Sequence, residues 1–238
     1  MSNIYLGGRA TARYVPPSLR SAWAIGTAIG GTTALVGVFL TGAFLSAVTA
    51  GAPGSTAPFT ELTARTVSPL QATVWTYFEL KGVQPTVQWE SATITRSVLY
   101  ALTGESDTYA ALRVLPPVLL MLAGSLTVVL TGRLSDGPSD SVTPLSGAYI
   151  LLGYAPPLLL LLWVASVPVV GPDASRWVHV GNSVVDAASL AGVTAGPAPV
   201  PATLVALTFP VFFGLLGGMV AEVVSNTVER EQGLSTER

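Results

Sequence analysis

Hydrophobic and polar positions along this chain separate into long blocks rather than alternating at short range. Four windows carry no charged residue at all: residues 21–60, 114–132, 141–172 and 187–221. A helix in water needs a wet face and so scatters charge along its length. Charge-free windows of this length match instead the roughly 20 apolar residues that a helix needs to cross about 30 Å of hydrocarbon. The pattern predicts an all-α membrane protein, a bundle of four transmembrane helices over residues 21–50, 109–132, 145–170 and 202–224. The first run follows Arg9, Arg13 and Arg20 as a signal peptide's would, but it far exceeds the about 7–15 apolar residues of a signal core, so it reads as a retained helix.

Between the first two spans, residues 51–108 are the longest polar stretch and predict a partly structured extracellular segment. Gly51-Ala-Pro-Gly-Ser-Thr-Ala-Pro58 is a loop by composition. Ser68-Pro69 then offers an N-cap followed by proline at the first helical position, and Gly82 can end the helix. That helix carries Trp75, Tyr77 and Phe78 and is too short to span. Two readings fit it: a helix lying among lipid headgroups, where Trp and Tyr are favoured, or a buried helix in a small lobe. Gln84–Thr95 alternates weakly, as a strand does, and Ser97–Leu102 begins a short helix that Gly104 stops. Residues 133–144 form a short hydrophilic turn, and 171–201 a Gly-, Pro- and Ala-rich connection with a short helix near Ser183–Leu190.

Lys and Arg near span ends set orientation. With residues 1–20 in the cytoplasm, Arg9, Arg13, Arg20, Arg133, Arg230 and Arg238 lie inside, together with the tail 225–238. The plasma membrane is the expected location, with both termini cytoplasmic. Arg113, near one end of the second span, reads as an arginine snorkelling to the interface, and Glu222 as a carboxylate at the opposite boundary. No ionisable residue falls near the middle of any span, which weighs against an ion-coupled pump.

Composition narrows the chemistry. Charged residues make up 10% of the chain and the net charge is −2, so no basic nucleic-acid surface is expected. The chain has no cysteine and one histidine, His179, which removes thiolate chemistry and leaves no ligand set for a metal. Neither a cofactor nor an enzymatic activity is expected. The partners it admits are the lipid bilayer and, through the segment 51–108, a membrane-protein partner or a second copy of the chain. Trp75, Tyr77, Phe78 and Trp89 are the candidate anchors there. Gly26-Thr-Ala-Ile-Gly30 and Gly214-Leu-Leu-Gly-Gly218 are small-residue contact faces, expected to pack the first span on the fourth. Leu115-Pro-Pro and Ala155-Pro-Pro begin similar apolar stretches, a pattern that in transporters marks interrupted helices, though a structural kink explains it equally.

The stretches Leu115–Gly124, Gly153–Pro156 and Phe209–Gly218 resemble multi-span membrane proteins of salt-loving archaea, proteins of unknown function some of which are grouped with transporters. The resemblance covers the last three spans. It implies an archaeal plasma membrane and supplies no catalytic residue. The reading it leaves is a non-enzymatic scaffold, accessory subunit or partner-binding component, with a small-solute transporter or channel as the alternative.

Overall fold

The computed structural model describes residues 17–50, 62–63, 66–89, 92–98, 100, 107–134, 144–171, 175–180 and 183–236. The loop expected at 51–58, Leu102 and Gly104, most of the turn 133–144 and the first sixteen residues lie outside them. Among the described residues four helical segments are long and apolar enough to cross a membrane. Helix α1 (Pro17–Ala50) carries the first and α3 (Asp107–Leu134) the second. The third is a 3-10 turn, Pro144–Ile150, running into α4 (Leu151–Val164), and α5 (Pro199–Thr236) carries the fourth. The second and third spans each touch all of the other three.

What these helices bury explains why they suit lipid. The buried stripe of α1 is Ala22, Gly26, Gly30, Ala34, Gly37, Thr41 and Leu45, spaced by four and three residues and small up to its last member, while Phe39 points outward at 73% exposure. Along α5 the buried stripe is Ala202, Ala206, Pro210, Gly214, Gly218 and Ala221, with Leu204, Phe212 and Val223 exposed. Small residues lie inside and large apolar ones outside, the reverse of a water-soluble bundle. In hydrocarbon the large side chains cost nothing outside, and close backbone approach is what joins helices. The third span supplies the bulk that fills the gap: Ile150, Tyr154 and Leu158 are fully buried.

The two glycine pairs do not meet each other, contrary to the expected packing of the first span on the fourth. A Cβ on Gly26 would lie 2.6 Å from that of Tyr149, and one on Gly30 would strike the Ile150 carbonyl. On the other side, Gly214 lies against the Gly147 backbone, and a Cβ on Gly218 would lie 2.5 Å from the Pro144 carbonyl oxygen. Both pairs therefore grip Pro144–Ile150 from opposite sides. A 3-10 turn is tighter than an α-helix, and with Gly147 it leaves room for two helices to reach its backbone.

The segments joining spans one to two and three to four fold together into one lobe. It holds α2 (Pro69–Glu79) and strands β1 (Pro85–Trp89), β2 (Ala92–Thr95), β3 (Val167–Pro168), β4 (Trp177–Val180), β5 (Ser183–Asp186) and β6 (Thr194–Pro197). Four of them form an antiparallel sheet in the order β2-β1-β6-β3, and β4 pairs with β5 as a separate hairpin. The expected single strand over Gln84–Thr95 is thus a hairpin, with Val87 opposite Ile94. The short helix expected at Ser183–Leu190 is β5 followed by a 3-10 turn, Ala187–Leu190. Hydrophobicity alone extends the third span to residue 170, yet its helix ends at Val164. Val167 and Pro168 instead pair with Ala195 and Thr194 of β6.

Candidate functional site

The lobe meets the bundle through α2, and the sequence sets that helix up from its first residue. Ser68 Oγ accepts from the Gln71 amide at 3.3 Å, and Gln71 Oε1 accepts from the Ser68 amide at 3.0 Å, a reciprocal capping box with Pro69 at the first position. At the other end the Val83 amide donates to the Phe78 carbonyl and the Gly82 amide to that of Glu79. This Schellman closure needs Gly82 at φ +88°, where a Cβ is strained. Every residue from Ala72 to Leu80 is buried, as in a helix enclosed on all sides.

Contacts to α1 and to α4 clasp α2 to the spans. Trp75 Nε1 donates to the Ala165 carbonyl at 2.8 Å and Gln71 Nε2 to that of Val164 at 3.3 Å. Carbonyls at a helix C-terminus have no partner in their own helix, so α2 caps α4. Thr73 packs on Gly42 of α1, and Tyr77 reaches Gly37, where a Cβ would lie 2.5 Å from the phenol oxygen. That oxygen hydrogen-bonds the Tyr154 hydroxyl at 2.7 Å. Since Tyr154 lies in the middle of the Pro144–Val164 span, α2 reaches well down the side of the bundle.

At the foot of α2 sits the only lysine of the chain. Lys81 is 5% exposed, and its Nζ lies 3.7 Å from the centre of the Tyr77 ring, 4.9 Å from Tyr154 and 5.3 Å from Phe78. Among the described residues no acceptor bonds that nitrogen. Burial holds the Lys81 amine well below the usual lysine range. Burial likewise pushes the Tyr77 phenol up to about 12, partly offset by its bond to Tyr154. Glu79, also fully buried, turns the other way and accepts from Ser97 Oγ and from the Val98 amide at 2.9 Å. No ionisable residue was expected near mid-span; tertiary folding brings one there from the lobe. The signal for it was a single lysine among ten arginines, directly after the aromatic helix.

The other expected residues are placed as follows. Trp75, Tyr77 and Phe78 belong to the core, so they offer no contact area to a partner or to headgroups. Trp89 is half-buried, its Nε1 enclosed without an acceptor. Arg113 and Glu222 are exposed, as their positions at the span boundaries suggest. Pro116 is buried while Pro156 faces outward, so the two Pro-Pro stretches sit in different surroundings. Among the described residues no three His, Cys, Asp or Glu side chains gather as a metal site would require.

The exposed face of the β4–β5 hairpin was not among the expected features. Val178, Val180 and Val185 point into the core, while Trp177 (56% exposed), His179 and Val184 point out. The Arg176 guanidinium lies 5.5 Å from the Trp177 ring centre and 4.0 Å from Asp186 Oδ2. The signal available was the alternation Trp177-Val-His-Val180. A further groove of about 360 Å³ opens to the lipid face between α1 and α3, lined by Ala28, Thr32, Val36, Leu119, Leu122 and Leu126. Thr32 turns its hydroxyl to the Ala28 carbonyl at 2.9 Å, leaving an apolar wall.

No curated protein and no solved structure matches the chain. One family model does, across residues 9–225, a stretch that takes in all four spans and the lobe, and the chain therefore belongs to that family of unknown function, DUF7978.

Proposed function

We propose that this protein is a non-enzymatic membrane component, an accessory or scaffold subunit that holds a protein partner through its lobe. The observation that carries this reading is the β4–β5 hairpin. Its inner face is committed to the core, while Trp177 and Val184 remain outside with Arg176 against the indole. Trp and Arg are the residues most enriched where binding energy concentrates, and an indole left in water gains from entering an apolar pocket on a partner. Trp75, Tyr77 and Phe78 no longer serve this role, because they hold the lobe itself. The test is a photo-crosslinking side chain at residue 177 of the full chain in its native membrane. The expected result is one stoichiometric partner whose co-purification is lost on Trp177→Ala and kept on Trp163→Ala, a lipid-facing control. An unlinked protein that co-purifies with nothing and moves a solute across reconstituted vesicles would overturn it.

Solute transport is the second reading, favoured by the Lys81 amine beside Tyr154 in the middle of the third span. Buried ionisable groups at that depth commonly mark ion or substrate paths. The two readings separate in the reconstitution just described.

The orientation proposed places both termini in the cytoplasm of an archaeal cell and the lobe outside. It rests on Arg9, Arg13, Arg20, Arg133, Arg230 and Arg238 falling on one side, and the archaeal setting on the sequence resemblance. A reporter active only in the cytoplasm should be silent when fused near residue 85 and active near residue 137. The opposite pattern would invert the topology.

A further inference from the structure

The cluster at the foot of α2 has an odd composition for a place that only needs to be packed. A leucine or methionine would fill the space between Tyr77, Phe78 and Tyr154 with no polar atom to satisfy. The chain instead puts its one lysine there, 5% exposed, with Nζ on the face of one ring and near two others and no acceptor within bonding distance. The ring faces offer the ammonium some attraction, but a buried charge with no counter-charge is costly, and a lysine escapes that cost by giving up its proton.

Among the described residues nothing around it supplies a counter-charge. Helix α2 packs on α1, α4 and β6. Residues 21–50 of α1 contain no ionisable side chain, β6 contains none, and α4 offers only Tyr154. On α2 itself Tyr77 is a phenol bonded to Tyr154, and the Glu79 carboxylate is taken by Ser97 and Val98. Among the described residues Lys81 is therefore the ionisable group at this seat that has no hydrogen-bond partner.

The position of the amine matters as much as its chemistry. Lys81 lies between the end of α2 at Glu79 and the left-handed turn at Gly82, so its side chain is carried by the closing turn of the helix. The same turn holds Tyr77 against Tyr154, the deepest link between the lobe and the third span.

We propose that Lys81 is a proton-operated latch: the uncharged amine keeps the last turn of α2 seated between α1 and α4, and uptake of a proton from the lobe side releases that turn and breaks the Tyr77–Tyr154 link. The inference is independent of whether the lobe binds a partner. Its chemistry is one proton gained on release, with no other reactant.

The direction of the pH dependence follows. Burial lowers the amine's proton affinity in the seat, while the released lysine returns to its ordinary value near 10.4. The released state thus binds more protons between those two values. The seat is firmest above the ordinary lysine value, weakens as pH falls, and levels off below the value in the seat.

The experiment is amide hydrogen exchange of the full chain in lipid nanodiscs, following peptides that cover residues 76–83 and correcting for the pH dependence of the exchange chemistry. In the wild type, protection should fall about tenfold for each unit that pH drops within that window, the slope for one proton. Lys81→Met should remove the slope and keep the segment protected, and Lys81→Arg, charged throughout, should leave it weakly protected at every pH. A wild type with no slope overturns the latch, whether or not either variant folds. A slope that survives in Lys81→Met overturns it as well, because another group would then be titrating.

Discussion

Gly153→Ala destabilises the folded protein by about 1–3 kcal/mol, the usual cost of overpacking, and Gly30→Ala does the same, while Gly31→Ala is neutral or slightly stabilising. All three changes add one methyl group, and all favour helix intrinsically by up to about 1 kcal/mol. They differ in what the methyl meets. A Cβ on Gly153 strikes the Thr27 carbonyl oxygen and the Gly31 amide nitrogen, and one on Gly30 strikes the Ile150 carbonyl. These are backbone atoms, which cannot swing aside as a side chain can. On Gly31 the nearest atom is the Gly153 carbonyl oxygen at 3.6 Å, ordinary van der Waals contact. Gly30 and Gly31 are adjacent in sequence, so differences in detergent, depth or helix propensity nearly cancel between them. Thermal unfolding in a mild detergent measures the contrast. Equal losses at 30 and 31 would mean that the first and third spans do not cross as described.

Trp75→Ala has the largest effect expected of any single change in the lobe, about 3–5 kcal/mol for loss of a fully buried indole. The indole is 0% exposed, and its Nε1 satisfies the Ala165 carbonyl at the end of α4. Truncation leaves both a cavity and an unpaired carbonyl. Trp75→Phe fills most of the cavity but still orphans that carbonyl, at about 1–3 kcal/mol. Protease sensitivity of the lobe should follow the same order, with Trp75→Ala cut fastest and wild type slowest. If Trp75→Ala leaves the lobe resistant, α2 does not hold it to the bundle.

The four spans were legible because lipid imposes a crude rule, long stretches without charge, that needs no knowledge of neighbours. The start and stop of α2 were legible too, since Ser68, Pro69 and Gly82 act through their own backbone. Which helix each glycine faces was not. Gly26-xxx-Gly30 announces a close contact without naming the partner, and the third span, lacking a GxxxG of its own, turned out to be that partner through Tyr149 and Ile150. The lobe was half legible. Residues 171–201 looked like a loop because their strands are only four residues long and are specified by pairing with β1, with β3 and with each other rather than by their own pattern. The aromatic residues of α2 could be read as surface anchors or as core, and only the third dimension decides between them. Lys81 was hidden for the same reason: its sequence neighbours place it in a connecting segment, whereas its ring contacts place it beside the middle of a span.

The seating of α2 along α1 underlies both the clasped lobe and the Lys81 latch, and the chain's lack of cysteine allows it to be measured directly. A Cβ built on Gly42 lies 4.0 Å from that of Thr73, within the roughly 3.5–4.5 Å that a disulfide requires. Gly42→Cys combined with Thr73→Cys, oxidised in intact membranes, should form an intramolecular cross-link that shifts gel mobility and reverses on reduction. Gly42→Cys combined with Val184→Cys, on the exposed face of the hairpin, should not. Efficient linkage of the first pair alone is the expected result. Failure of that pair to link within one chain would contradict a helix that folds back against the spans.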